Sequence, residues 1–123
     1  MKRREAREKA VQTLFQLDGM DLPAEEAIGY IIEGPVDPFY ETLVKGTKEH
    51  QEEIDEVLIS KLENWSLARL PKIERTVLRL AAFELLYNDD VPHKVAVNEA
   101  IELCKTFGDE KSGRFVNGVL SKF

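Results

Sequence analysis

Residues 73–86 read IERTVLRLAAFELL, and the distribution of their apolar side chains indicates how the whole chain is organised. Nine of these 14 residues are apolar, and at 100° per residue they point in nearly every direction around a helix. A helix with this pattern is surrounded by other helices. Pro71 suits a helix start and Asn88-Asp89-Asp90 suits a turn, so we predict a central, mostly buried helix over Lys72–Tyr87.

Helical patterns continue on both sides of this segment, and we find no alternating strand pattern and no hairpin turn. The other predicted helices are Arg3–Asp18, Ala24–Ile32, Pro38–Leu62, a helix that starts between Pro92 and Asn98 and ends at Phe107, and Glu110–Lys122. Gly46 is a candidate position for a bend in the third helix. The connections between them are short, which favours antiparallel packing of neighbours. The predicted fold class is therefore all-α, a compact helical domain of about six to seven helices.

Length and composition indicate one soluble domain. The chain has 123 residues, of which 43% are hydrophobic and 33% charged. No apolar run approaches the roughly 18 residues of a membrane span, and the N-terminal MKRREAREKA lacks the apolar region of a signal peptide. The single cysteine, Cys104, cannot form an internal disulfide or a CxxC metal site. We expect a cytoplasmic protein without a cofactor.

Catalytic signatures are missing from the sequence, which contains no glycine-rich phosphate loop, GxSxG or HExxH motif. His50 and His93 have no third ligand at a useful spacing, so no metal site is expected. Glu84 is unusual because it falls on a buried face of the central helix, where a carboxylate needs hydrogen-bond donors. We expect backbone amides near Val97–Glu99 to supply them in a structural role, and we expect no enzymatic activity.

The charge distribution is uneven. The net charge is −6, but residues 2–9 carry +3 and residues 105–123 carry +2, whereas residues 10–104 carry −11. The overall acidity disfavours a general nucleic-acid binder, and the basic termini suggest a local anion-binding face. An ordinary solvated helix turn explains the N-terminal charges equally well, so both interpretations stay open.

Two kinds of residue in the first helix lie off its apolar stripe, which consists of Ala6, Ala10, Thr13, Leu14 and Leu17. Phe15 points almost opposite the stripe and meets either a second layer of helices or a partner protein. Arg3, Arg4 and Arg7 share one broad side near the start of the helix. A cluster of guanidinium groups suits phosphate oxygens.

The last helix has a similar arrangement. Phe115 lies at the edge of its apolar stripe. On the outer side of Phe115, away from the stripe, lie Lys111, Arg114, Gly118 and Lys122. A ring that stacks a base beside cations that hold the backbone is what single-stranded RNA binding needs. Gly118 lets another chain approach closely. The alternative is that Phe115 belongs to the core and Gly118 to a contact between helices.

Several blocks of the sequence resemble the NusB family of bacterial transcription antitermination factors. They are the opening RREAREKAVQTLFQ, Ile73–Leu86, and Asp90–Lys122, which contains VAVNEAIELCKTFG and RFVNGVLSK. The resemblance implies a fold of two packed helical subdomains, here about 1–65 and 66–123. It also implies binding of boxA RNA together with NusE, a small ribosomal subunit protein, and an indirect connection to other Nus factors and RNA polymerase. The implied function is antitermination, notably in ribosomal RNA operons, and the family has no enzymatic activity.

The resemblance also indicates which residues form the two binding sites. The predicted RNA-binding set combines residues that the resemblance indicates with Lys122, which the helical wheel places beside Phe115. The set is Lys2, Arg3, Arg4, Arg7, Lys111, Ser112, Arg114, Phe115 and Lys122. The predicted NusE-binding set is Leu14, Phe15, Asp18 and Glu74. A homodimer is compatible with the sequence.

Three alternatives stay open at this stage. A protein-only helical scaffold or adaptor would use the basic termini for an acidic partner and bind no RNA. A helix-turn-helix DNA regulator is disfavoured by the acidity and by the lack of a basic recognition helix. Some ribosomal RNA cytosine methyltransferases resemble the chain in their N-terminal domain, but a large catalytic domain follows there, and we expect none here.

Overall fold

The computed structural model describes all 123 residues and contains seven α-helices and one short 3-10 turn. The helices are α1 (Arg3–Leu17), α2 (Ala24–Ile31), α3 (Pro38–Glu49), α4 (Gln51–Lys61), α5 (Lys72–Tyr87), α6 (His93–Phe107) and α7 (Glu110–Leu120), and the turn covers Leu67–Arg69. The all-α prediction is confirmed. None of these helices has both the length and the apolar character that crossing a bilayer requires.

Helix α5 is the centre of the fold and has the predicted bounds. It packs against α1, α3, α4, α6 and α7. Residues 76–78 and 80–84 are all buried, which accounts for a sequence that is apolar on nearly every side. One apolar cluster of 26 buried residues extends from Ala6 to Leu120. Cys104 belongs to it as predicted, and burial raises the pKa of its thiol to about 12.

The predicted long third helix is wrong in one respect, because the chain breaks it at His50 into α3 and α4. His50 lies between them with φ −98° and ψ 14°, and its ring stacks on Tyr87 at a centroid distance of 4.1 Å. Gly46 stays inside α3. A Cβ at this position would collide with the Phe83 ring of α5. Glycine at position 46 thus permits close packing of two helices and does not bend the chain.

Two aspartates fix the starts of helices that matter below. Asp37 accepts a hydrogen bond from the Tyr40 amide at 3.0 Å, which confirms the predicted cap of α3. Asp109 accepts one from the Ser112 amide at 2.7 Å, and this bond lowers the pKa of the Asp109 carboxyl. The start of α7 is therefore held by its own cap.

Glu84 is buried as predicted, but its partner is Arg7 and not the backbone near Val97–Glu99. The Arg7 guanidinium donates from Nε at 3.0 Å and from Nη2 at 2.9 Å to the carboxylate. The two side chains are only 3% and 2% exposed. The sequence-based interpretation was wrong because the donor comes from α1, 77 residues away in the chain. This ion pair joins α1 to α5.

We expect Glu84→Gln to destabilise the protein by about 3 kcal/mol, because the charge of Arg7 would remain buried without its main partner. Glu99, whose carboxylate lies 3.7 Å from Arg7 Nη1, keeps the loss at the lower end of the usual range. Urea unfolding measures the change. The matched control is Glu102→Gln, which removes the exposed Lys105–Glu102 pair and should alter stability little. Equal effects of the two substitutions would contradict a structural role for Glu84.

Candidate nucleic-acid interface and apolar cleft

The basic residues before and at the start of α1 separate into an outer and an inner group. Lys2, Arg3 and Arg4 are exposed. The Arg3 guanidinium lies 4.4 Å from the centroid of the Phe39 ring, a cation–π contact that limits its motion. Arg4 Nε lies 3.2 Å from Glu99, and this hydrogen bond raises the pKa of the arginine. The three residues form a basic edge in which Arg3 and Arg4 have a defined orientation.

Arg7 belongs to the inner group, and its predicted role as a phosphate ligand does not fit the structure. It is buried, and its guanidinium is held by Glu84 and approached by Glu99. The helical wheel contained the signal, since Arg7 precedes Leu14 by seven residues and so lies about 20° from this stripe residue. Arg7 positions α1, and only the outer cations face solvent.

Helix α7 and the turn that follows it present the second basic group. Lys111, Arg114 and Lys122 are exposed, whereas Phe115 is half-buried at the edge of the core. Gly118 is exposed and has no atom within 4 Å of the position of a Cβ. Gly118 is therefore not the contact between helices that was the alternative explanation.

Ser112 does not face outward as the prediction requires. It is 6% exposed, and its hydroxyl donates a hydrogen bond at 2.9 Å to Glu74 Oε2 on α5. The reason is its place on the wheel, four residues before the buried Val116. Ser112 thus connects α7 to α5.

Two adjoining clefts form a groove along α6 that has Arg4 from the first basic group at one end and Arg114 from the second at the other. One cleft of about 480 Å³ is lined by residues that include Arg4, Asn98 and Lys105. The adjoining cleft of about 220 Å³ is lined by residues that include Lys105, Arg114 and Asn117. Lys105 is common to both, so it lies between Arg4 and Arg114.

Sequence reasoning missed Lys105, Asn98 and Asn117 as site residues. Lys105 had been counted among the basic residues of the C-terminal region, but its place in the groove depends on how α6 packs between α1 and α7. The groove also contains acids, since Glu102 lies 3.5 Å from Lys105 and Glu99 pairs with Arg4. An anion in the groove would compete with these exposed ion pairs.

An apolar cleft of about 580 Å³ lies elsewhere, between α1 and the start of α5. Its lining residues are Val11, Gln12, Phe15, Gln16, Ile31, Pro71, Lys72, Ile73 and Phe107. Phe15 is 39% exposed at this cleft, and Lys72 Nζ lies 4.4 Å from its ring centroid. The structure thus brings Phe15 together with the start of the central helix, as the prediction for the NusE-facing surface requires.

The other three residues of the predicted NusE-binding set have partners within the chain. Leu14 is 8% exposed and belongs to the core, so its predicted contact with a partner does not fit the structure. Asp18 accepts a hydrogen bond from Arg75 Nη2 at 2.6 Å. Glu74 accepts the hydrogen bond from Ser112. Asp18 and Glu74 are half-buried and keep part of their surface in solvent.

Comparisons with known proteins agree with the resemblance in the sequence. The NusB family profile matches residues 4–123. The transcription antitermination protein NusB of Lysinibacillus sphaericus is 68% identical over 123 residues, which is 100% of this chain and 97% of that protein. The protein of the same name from Bacillus subtilis is 53% identical over 122 residues, with 98% and 93% covered.

Solved structures support the same assignment. Thermotoga maritima NusB superposes with a TM-score of 0.90 at 38% identity, covering 99% of this chain and 89% of that chain. The NusB of a crystal structure of antitermination factors NusB and NusE with double-stranded RNA superposes with a TM-score of 0.86 at 32% identity, covering 98% and 93%. On its sequence and its fold, the chain belongs to the NusB family.

Proposed function

We propose that this chain is an RNA-binding transcription antitermination factor that binds boxA RNA together with NusE. In this role it supports antitermination by RNA polymerase, notably in ribosomal RNA operons, and it needs no catalytic step. The observation that carries the proposal is the pair of adjoining clefts along α6, which places Lys105 between Arg4 and Arg114, while Phe115 follows Arg114 on α7. The names of its relatives, and the complex of one of them with NusE and RNA, support it.

The RNA site combines an aromatic surface with cations. Phe115 stacks an unpaired base, while Arg4, Lys105 and Arg114 attract the phosphates along the groove. Each phosphate neutralised on a single strand contributes about −0.7 to the slope of log affinity against log salt, so binding should be strongly salt-dependent. The acidic segment 49–56 lines neither cleft of the groove, and it repels RNA from its own part of the surface.

The apolar cleft at Phe15 suits a protein partner better than RNA. Its floor is apolar, with Lys72 as its only charged lining residue. An exposed aromatic ring at the edge of such a cleft is a typical binding hot spot. We assign this surface to NusE.

Helix α5, which begins at the cleft, packs against α7, and one hydrogen bond joins them close to the cleft. Glu74 follows the cleft residue Ile73 on α5 and accepts the Ser112 hydroxyl of α7 at 2.9 Å. A partner that orders the start of α5 would thereby also hold the helix that carries Phe115. This contact provides a physical route by which NusE and RNA strengthen each other's binding.

Phe115→Ala should weaken binding of a labelled boxA-like RNA by about 1–3 kcal/mol, because one stacked base is lost. Fluorescence anisotropy with and without NusE measures the affinity, and a scrambled RNA and an RNA duplex serve as competitors. NusE binding should persist, and a thermal melt checks the fold, since Phe115 also packs against the core. Unchanged RNA affinity would refute the stacking role, and a wild type that binds NusE but no RNA would favour the protein-only scaffold.

Gly118→Ala should stabilise the protein by up to about 1 kcal/mol, because alanine is the better helix former and nothing lies within 4 Å of the new Cβ. RNA affinity should nevertheless fall, since the added methyl group stands where the strand approaches the backbone. Gly29→Ala is the matched control, as Gly29 is also exposed in a helix with no atom within 4 Å. Both variants should gain stability, and only the first should lose RNA affinity. Equal RNA affinity of both would place the strand away from Gly118.

Phe15→Ala should weaken NusE binding by about 2 kcal/mol or more while RNA affinity without NusE stays unchanged. The reason is that Phe15 lines the apolar cleft and is absent from the groove along α6. Isothermal titration calorimetry with purified NusE measures the loss. Ile59→Ala on α4, where Ile59 is 59% exposed, controls for removal of an exposed apolar side chain. A similar loss in both variants would contradict a specific role for the cleft.

A further inference from the structure

Trp65 is the only tryptophan of the chain, and it lies in the segment between α4 and the 3-10 turn. Its side chain is 61% exposed, which is unusual for the largest apolar residue. The ring nevertheless has a fixed neighbour, because it meets Phe115 edge to face with centroids 5.3 Å apart and planes at 70°. Trp65 thus extends the aromatic surface of Phe115 into solvent.

Several contacts hold the Trp65 segment against the end of α7. Lys122 Nζ donates to the Lys61 carbonyl at 3.0 Å and lies 3.6 Å from the Glu63 carboxylate. Asn64 adopts a left-handed conformation with φ 62°, which turns the chain immediately before Trp65. Leu67 is buried and anchors the segment on the other side. The indole is therefore presented at a defined place.

We propose that Trp65 is a second base-stacking surface of the RNA site and takes an unpaired nucleobase adjacent to the one on Phe115. This inference rests on the proposed function. Exposed aromatic rings bind bases by stacking, which tolerates any base because each has a π-face. The 70° angle between the two rings adds selectivity, since successive bases of a duplex are parallel and cannot stack on both. The pair therefore favours a single strand that turns between two bases.

The charges around Trp65 are compatible with this role. Lys61 precedes Trp65 by four residues, Lys122 contacts the same segment at the Lys61 carbonyl, and Lys111 lies one helical turn before Phe115. Glu63 is the acid next to them, and Lys122 partly neutralises it. A strand that leaves the groove at Arg114 reaches the aromatic pair by crossing α7 at Gly118, where no side chain stands in the way.

Because Trp65 is the only tryptophan, its fluorescence reports on this site without a label. We expect a boxA-like single-stranded RNA to quench its emission and to reduce its accessibility to the neutral quencher acrylamide. The control protein is Trp65→Phe combined with Tyr30→Trp, which moves the indole to an exposed position on α2. Its emission and its accessibility to acrylamide should not change on binding.

Affinity measurements complete the test. By anisotropy, Trp65→Ala should bind the same RNA about fivefold or more weakly, and Trp65→Phe should recover most of the loss. Tyr30→Ala controls for removal of an exposed aromatic side chain, and thermal melts of all variants check the fold. Quenching, protection and this order of affinities together would support the proposal.

The remaining outcomes overturn it in distinguishable ways. If wild type binds RNA while Trp65→Ala binds equally well, Trp65 is outside the site and the proposed function stands. If Trp65→Ala binds weakly but RNA leaves the indole as accessible to acrylamide as before, Trp65 only supports Phe115 and the stacking role is refuted. If wild type binds no RNA even with NusE, this proposal and the proposed function fail together.

Discussion

The buried ion pair between Arg7 and Glu84 is the contact on which the arrangement of both surfaces depends. It fixes α1 against α5, and α1 carries the basic edge at one end and Phe15 at the other. A buried pair is a costly way to stabilise a protein, because both charges lose their hydration, and apolar residues of similar size would often do as well. The guanidinium and carboxylate fix the position of the two helices relative to each other, since their hydrogen bonds are satisfied in only one register. Arg4 and Phe15 are thereby placed relative to the central helix.

The sequence contained enough information for the central helix but not for the break between α3 and α4. Helix α5 is apolar on nearly every side and follows a proline, so its approximate bounds could be predicted. The break at His50 has no glycine or proline, and the surrounding KEHQEEIDE favours a continuous helix. Contacts from elsewhere oppose that preference, because the His50 ring stacks on Tyr87 and faces Phe83 at a centroid distance of 6.2 Å. Tertiary packing of this kind cannot be derived from local patterns.

A similar boundary separates the site residues that could be predicted from those that could not. Residues off an apolar stripe, such as Phe15 and Lys111, were identifiable because a single helix determines which way they point. The partner of Glu84 and the place of Lys105 in the groove depend on how separate helices pack together. The periodicity of apolar residues along one helix therefore does not indicate them. Trp65 lies outside regular structure, where the helical wheel says nothing, and only its contact with Phe115 draws attention to it.

If the chain acts as proposed, the two surfaces explain how a small acidic protein can be selective for RNA. Exposed cations on a chain of net charge −6 attract phosphates only locally, and several of them are paired with acids such as Glu99 and Glu102. An RNA strand in the groove would compete with these exposed pairs. A protein partner in the apolar cleft changes this balance, since α5 begins at the cleft and Glu74 holds α7 through Ser112. Linkage requires that RNA favour the protein partner by the same factor. In the proposed complex, selectivity would then come from the simultaneous presence of both ligands, and neither site would need to bind tightly alone.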